Sequence, residues 1–273
     1  MMPRKTFFAT MNQMPFSLRP IRFPRLAILA LLLCGEALAF TALQFDATAS
    51  RNVSRTDGDV TAWVSTRQGV IANPCHASEG GWTSPQYDRD GSIDFFSATG
   101  VASPLSFPQS ESGLVSRVFI VADGFDAATY RTLLDAPCPL RLMPADGDAA
   151  GHFATSSVLS SISLSIDYAQ ATAFSSGLHL YEIVLTDPCP LNDLYLGGSP
   201  ATPAWKRSWN GSVREVIFAA PSMSATEASV IRSYLSKRWE TGRYRSGESD
   251  ELSTLRALGI RTGGVYGSML IMR

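Results

Sequence analysis

The chain has 273 residues, of which 45% are hydrophobic and 10% aromatic, with 23 basic side chains against 24 acidic ones. That length and apolar content are enough to bury a sizeable core, and one domain is the default organisation. A near-neutral charge leaves no electrostatic footprint for DNA or RNA, so nucleic acid is not the expected partner.

The first element in chain order is an uncharged run, Leu26 to Cys34, preceded by Arg19, Arg22 and Arg25. A basic stretch followed by a short apolar one is the layout of a signal peptide, and Glu36-Ala37-Leu38-Ala39 supplies a small-x-small cleavage site before Phe40. Residues 1–39 are therefore expected to be a signal peptide; a start at Met14 would give it ordinary length. Cys34 follows Leu33, where a lipidation signal needs a smaller residue, so it is expected to leave with the cleaved segment. Retention of the run as an anchor is the alternative, and it would be the chain's one membrane contact. Removing residues 1–39 takes away five basic side chains and one acidic one, leaving 18 against 23 and a net charge of about −5. No second long apolar run follows Phe40, which predicts a secreted protein or one of the cell envelope or surface.

From Phe40 to about Ala220 the sequence is a succession of short alternating or apolar runs broken by Gly, Pro, Asp and Ser, the pattern of strands and turns. Strands are predicted at 42–47, 61–65, 93–97, 115–122, 131–134, 140–143, 160–168, 178–186, 194–197 and 213–219. Ser161 to Asp167 alternates without a fault, which puts Ile162, Leu164 and Ile166 on a buried face and hydroxyls on the other. His179 to Leu185 alternates less regularly. In the strand at 213–219, Val213, Glu215 and Ile217 are expected on one face, with Arg214, Val216 and Phe218 on the other. Many short strands without intervening helices predict an all-β, antiparallel sandwich or jelly roll.

One helix stands out. Ser224-Ala225-Thr226-Glu227 is a capping box, so the helix should begin at Ala225, with Ala228, Ile231, Leu235 and Trp239 as its apolar stripe and Arg232, Ser233, Ser236 and Lys237 on its polar face. Gly242 lies just past its expected end. Beyond it the chain turns polar through Gly247 to Asp250. A short helix over 252–258 and a last strand over 265–272 are then expected.

The order of these elements resembles a known family. It is carried by Asp57-Gly58-Asp59-Val60-Thr61-Ala62-Trp63, by Pro85-Gln86-Tyr87 with Asp94-Phe95, and by Leu194-Tyr195-Leu196-Gly197-Gly198. Its most specific part is Trp209-Asn210-Gly211-Ser212-Val213-Arg214-Glu215-Val216-Ile217-Phe218, followed by the capped helix through Tyr234-Leu235. Over roughly residues 41–241 this looks like the concanavalin A-like lectin/glucanase superfamily, in its laminin G-like jelly-roll branch. The resemblance implies a two-sheet sandwich with one C-terminal capping helix, a domain over 40–241, and a binding or adhesion role. The stretch Ile93 to Phe96 lacks the family's Phe-Asp-Gly ending, and residues 242–273 form a C-terminal extension beyond its usual end.

Glycoside hydrolysis on such a fold needs two or three carboxylates projecting into one groove. The nearest approach, Glu248-Ser249-Asp250-Glu251, lies in a Gly- and Ser-rich stretch and reads as a solvated tail. Glu182 and Glu215 read as lone carboxylates, flanked by Arg or facing water. His76, His152 and His179 are read as lacking a Cys or Ser-Asp context that would suggest a nucleophile and base, so no catalytic residue is assigned. Asp57-Gly58-Asp59, Asp88-Arg89-Asp90 and Asp146-Gly147-Asp148 are turn formers first; Asp57, Asp59, Asp146 and Asp148 are the candidate ligands should calcium bind. Trp63 reads as core. Trp205 and Trp209, flanking Lys206-Arg207 in a predicted loop with Asn210 beside them, are the candidate surface for stacking on a sugar ring, with core placement as the alternative. Cys138 and Cys189 sit in matching Pro-Cys-Pro-Leu segments and are the candidate disulfide pair in an oxidising compartment.

The expectation is thus an exported binding module whose partner is a glycan or an extracellular protein. A glycan hydrolase or lyase on the same fold, and a structural subunit of a surface assembly, are the alternatives.

Overall fold

The computed structural model describes residues 40–75, 82–96, 101–110, 113–124, 132–136, 140–142, 162–171, 173–200, 208–239 and 251–262. Among these residues seventeen strands follow one another: β1 (Ala42–Asp46), β2 (Val53–Thr56), β3 (Asp59–Val64), β4 (Ile71–Pro74), β5 (Trp82–Thr83), β6 (Gln86–Tyr87), β7 (Ile93–Asp94), β8 (Val101–Ala102), β9 (Leu105–Ser106), β10 (Leu114–Ala122), β11 (Leu134–Ala136), β12 (Leu140–Leu142), β13 (Ile162–Ile166), β14 (Ala169–Gln170), β15 (His179–Pro190), β16 (Tyr195–Leu196) and β17 (Ser212–Ala219). Two helices close the series, α1 (Ala225–Trp239) and α2 (Glu251–Ala257). The chain is therefore all-β in character, as its alternating runs predict. The strands that the sequence does not single out are two to four residues long, too short to display a period.

Fifteen strands form one antiparallel network in the order β12-β11-β16-β9-β4-β3-β6-β7-β17-β10-β15-β13-β14, with β1 on β17 and β2 on β3; β5 and β8 form a separate parallel pair. One core gathers side chains from both arms of this network. Leu105, Leu134 and Leu196 from the β9–β11 arm share it with Val118, Ile120, Tyr181, Ile183 and Phe218 from the β10–β17 arm. Phe45, Phe107 and Phe218 meet edge-on at its centre, with centroids 5.2 to 6.0 Å apart. Gly197 has φ +75, and a Cβ there would lie 2.2 Å from the Phe95 ring, so glycine is required by backbone and packing together.

The central strands are apolar on both faces because a second core lies on the other side. Phe119, Val121, Leu180, Ile217 and Ala219 point there, towards Ala228, Ile231, Tyr234 and Leu235 of α1 and towards Leu255, Leu258 and Ile260. Fully burying residues such as Ile231 and Leu235 is worth roughly 1.5–3 kcal/mol each. The described part of the C-terminal extension is thereby built into this layer.

The capping box forms as expected: Glu227 N–H donates to Ser224 Oγ at 3.2 Å, and Ser224 N–H donates to a Glu227 carboxylate oxygen at 2.8 Å. Two face assignments change. Ser236, expected on the polar face of the helix, is buried. In β17 the register steps between Val121 opposite Glu215 and Ala122 opposite Val213, so Arg214 is an extra residue in a bulge. The bulge returns Val213 to the inner face beside Val216 and Phe218, which strict alternation could not foresee, while Glu215 and Ile217 share the face towards α1 as alternation predicts.

Candidate functional site

β13 keeps its alternation: Ile162, Leu164 and Ile166 are buried, while Ser163 and Ser165 face outward on the side that α1 partly covers. Ser165 lies opposite Glu182 of β15. Glu182 points to the same side, where its carboxylate accepts hydrogen bonds from Arg117 of β10 at 2.5 Å and, in a bidentate pair, from Nε and Nη2 of Arg232 on α1 at 2.6 and 2.9 Å. A planar guanidinium against a carboxylate fixes both partners in direction, so the carboxylate is held as a wall.

The opposite wall comes from a tight turn. Ile166 pairs with Ala169, leaving Asp167 and Tyr168 as a two-residue loop whose φ values are +47 and +73. Such positions favour Gly or Asn, and a tyrosine there carries strain of order 1–3 kcal/mol. Tyr168 is 42% exposed, its hydroxyl donates to the Arg232 carbonyl at 3.1 Å, and the Arg232 guanidinium lies 5.9 Å from its ring centre. Burial raises its hydroxyl pKa, an effect that Ser236 and Arg232 partly offset. With Gln170 these groups line a groove of about 360 Å³ formed by Ser163, Leu164, Ser165, Tyr168, Gln170, Glu182 and Arg232.

The residues expected to form a site are placed elsewhere. Trp209 is fully buried, packs 5.4 Å from the Phe174 ring and donates its indole N–H to the Asp123 carbonyl at 2.9 Å. Neither face is open for a sugar, so Trp209 is a core residue, and Asn210 beside it is half-buried. Trp205 lies outside the described residues, as do Asp146, Asp148, Cys138, residues 1–39 and the expected strand over 265–272. Asp57 and Gly58 occupy the β2–β3 turn at φ +54 and +93, the turn-forming role, and Asp59 accepts from Gln86 across to β6. Among the described residues no three His, Cys, Asp or Glu side chains come together as a metal centre would require. Cys189 is buried in the main core. Glu251, read as part of a solvated tail, instead opens α2 and is buried, accepting from Ser233 Oγ at 3.0 Å.

Two polar groupings escape the sequence entirely. Asp46 and Glu215 stand opposite each other on β1 and β17, and Nη1 of Arg238 donates to both at 3.0 Å. Gln44 at 2.6 Å, Trp239 at 2.8 Å and Tyr234 at 3.1 Å complete the Glu215 shell. Complete burial and the nearby Asp46 push the Glu215 carboxyl up to about 7 against the attraction of Arg238. With Glu215 fully buried and Asp46 4% exposed, this pair pins α1 to the sheet and cannot reach a substrate. The second grouping corrects the reading of His179 as a histidine without Ser and Asp nearby: Ser175 and Asp167 both meet its ring.

Compared with protein-family models, with curated proteins and with solved structures, the chain matches none. The site must therefore be read from its own groups. Its lining offers hydroxyls, an amide, a carboxylate and a guanidinium around one exposed aromatic ring, the mixture that holds a small polyhydroxylated molecule. Cleavage of a glycosidic bond would need two open carboxylates, and among the groove residues Glu182 is the sole carboxylate. The sequence signal for the groove was partial: the hydroxyl face of β13 and an arginine partner for Glu182 were legible, but Tyr168 and Arg232 lie 64 residues apart and meet through the fold alone.

Proposed function

We propose that this chain is an exported binding module on a concanavalin A-like, laminin G-like jelly roll, and that it holds a glycan in the groove between the Asp167–Tyr168 turn and α1. The observation that carries the reading is the groove itself, where Ser163, Ser165, Gln170 and the Glu182–Arg232 pair line the space beside Tyr168 with polar groups. A pyranose covers such a ring with its C–H face while its hydroxyls satisfy the polar wall. The sharing of one core by both arms of the strand network supports two opposed sheets, and the signal-like segment 1–39 supports export.

The test is a glycan array on the processed chain, with and without calcium, followed by the same array on Tyr168→Gly. The wild type is expected to bind at least one saccharide and the variant at least tenfold more weakly. The same substitution removes a side chain from a left-handed position, so the variant should be as stable as the wild type or more so by about 1 kcal/mol in urea. Equal binding by both proteins would remove the groove as the site.

A further inference from the structure

Asp167 from the β13–β14 turn, Ser175 from the segment joining β14 to β15, and His179 at the start of β15 form a hydrogen-bonded chain of three side chains that the groove does not use. Ser175 Oγ lies 2.7 Å from Nε2 of His179, and Nδ1 of the same ring lies 2.6 Å from Asp167 Oδ2. The other Asp167 oxygen accepts the Leu180 N–H at 2.9 Å, which fixes the carboxylate in direction. In the tautomer that carries its proton on Nδ1, that proton faces Asp167 and the Nε2 lone pair faces the serine hydroxyl. Nucleophile, base and orienting carboxylate therefore stand in the order and at the distances that acyl transfer uses.

The frame around them is held from the core. Phe174, next to the serine, is buried against Tyr181 and Trp209 at 5.8 and 5.4 Å, and the Tyr181 ring meets the imidazole edge-on at 6.3 Å. Ser175, Ser176 and Gly177 are exposed, so an incoming carbonyl reaches Oγ without passing a channel. The Ser176 carbonyl lies 2.9 Å from Nε2 and gives that nitrogen an acceptor once it has taken a proton.

We propose that Ser175 is a nucleophile towards esters of short carboxylic acids, with His179 as its general base and Asp167 as the positioning residue. Ser175 Oγ bonds to the ester carbonyl carbon while its proton passes to Nε2. The tetrahedral adduct then collapses, the bond to the alcohol oxygen breaks, and Nε2 returns the proton to the departing alcohol. Water attacks the acyl-serine with His179 again taking the proton, releasing the carboxylic acid and restoring the hydroxyl. An exposed serine followed by Ser176 and Gly177, with Phe174 before it turned into the core, offers little apolar surface to a long acyl chain, which sets the preference for short ones. The activity is independent of glycan binding in the groove.

The experiment uses the full processed chain with p-nitrophenyl acetate and a fluorophosphonate probe. Probe is expected on the peptide at Ser175, not Ser176, and Ser175→Ala and His179→Ala should each lower p-nitrophenol release at least a hundredfold. Added imidazole should restore part of the His179→Ala rate, which a merely structural histidine would not allow. Asp167→Asn, which keeps a residue tolerant of positive φ, should lower the rate with an unchanged circular dichroism melt. Release by Ser175→Ala at the wild-type rate, or labelling at any other residue, overturns the proposal; so does loss in His179→Ala that imidazole cannot reverse while the melt is unchanged.

Discussion

Glu215 shows how much one residue's setting can differ from its sequence neighbourhood. On β17 it reads as a lone carboxylate, yet in the fold it faces Asp46 and receives Arg238, Gln44, Tyr234 and Trp239. Its carboxyl is pushed up to about 7, above its ordinary value of 4.5, so the folded state holds this proton more tightly than the unfolded chain. The stability contributed is full below about pH 4.5 and is lost as pH rises through about 7. The unfolding free energy from urea titration should fall between pH 5 and pH 8 by an amount on the order of a few kcal/mol, and Glu215→Gln should flatten that slope. A wild-type midpoint that rises over the same interval would contradict the assignment. Two features were unreadable at this scale: the bulge at Arg214 that returns Val213 to the inner face, and the pairing of Ser175 and Asp167 on His179. The first depends on register with β10 and the second on a turn and a loop closing on one ring.

At the scale of elements, local chemistry was legible wherever an interaction spans a few residues. Ser224 and Glu227 cap α1 through groups three positions apart, and the helix begins at Ala225 as their spacing predicts. Ser224→Ala should lower stability by about 1 kcal/mol, read as a shift in denaturant midpoint with unchanged slope. The alternation of β13 likewise survives intact, since each apolar side chain it predicts is buried. The paired elements that build the groove were not legible. Arg232 was placed on a polar face, but only docking of α1 against β15 decides that this face meets Glu182. Short strands such as β6 and β9 exist through their partners, because two residues have no period of their own.

For the whole molecule, burial decides between readings that composition leaves level. Trp209 was a candidate ligand surface or a core residue; the fold seals it under Phe174 and bonds its indole to the Asp123 carbonyl. Trp209→Ala should therefore cost roughly 3–5 kcal/mol in equilibrium unfolding, and a loss under about half a kcal/mol would return the indole to the surface. What this sequence by itself determined is the all-β character, the start of the helix and the apolar face of β13. Those depend on periodicity and on hydrogen bonds within one turn. The groove beside α1, the sealed Asp46–Glu215 pair and the Ser175–His179–Asp167 chain were decided by tertiary structure alone. Each brings together polar groups from different strands, turns or helices, and register and packing choose such partners where no local pattern can record them.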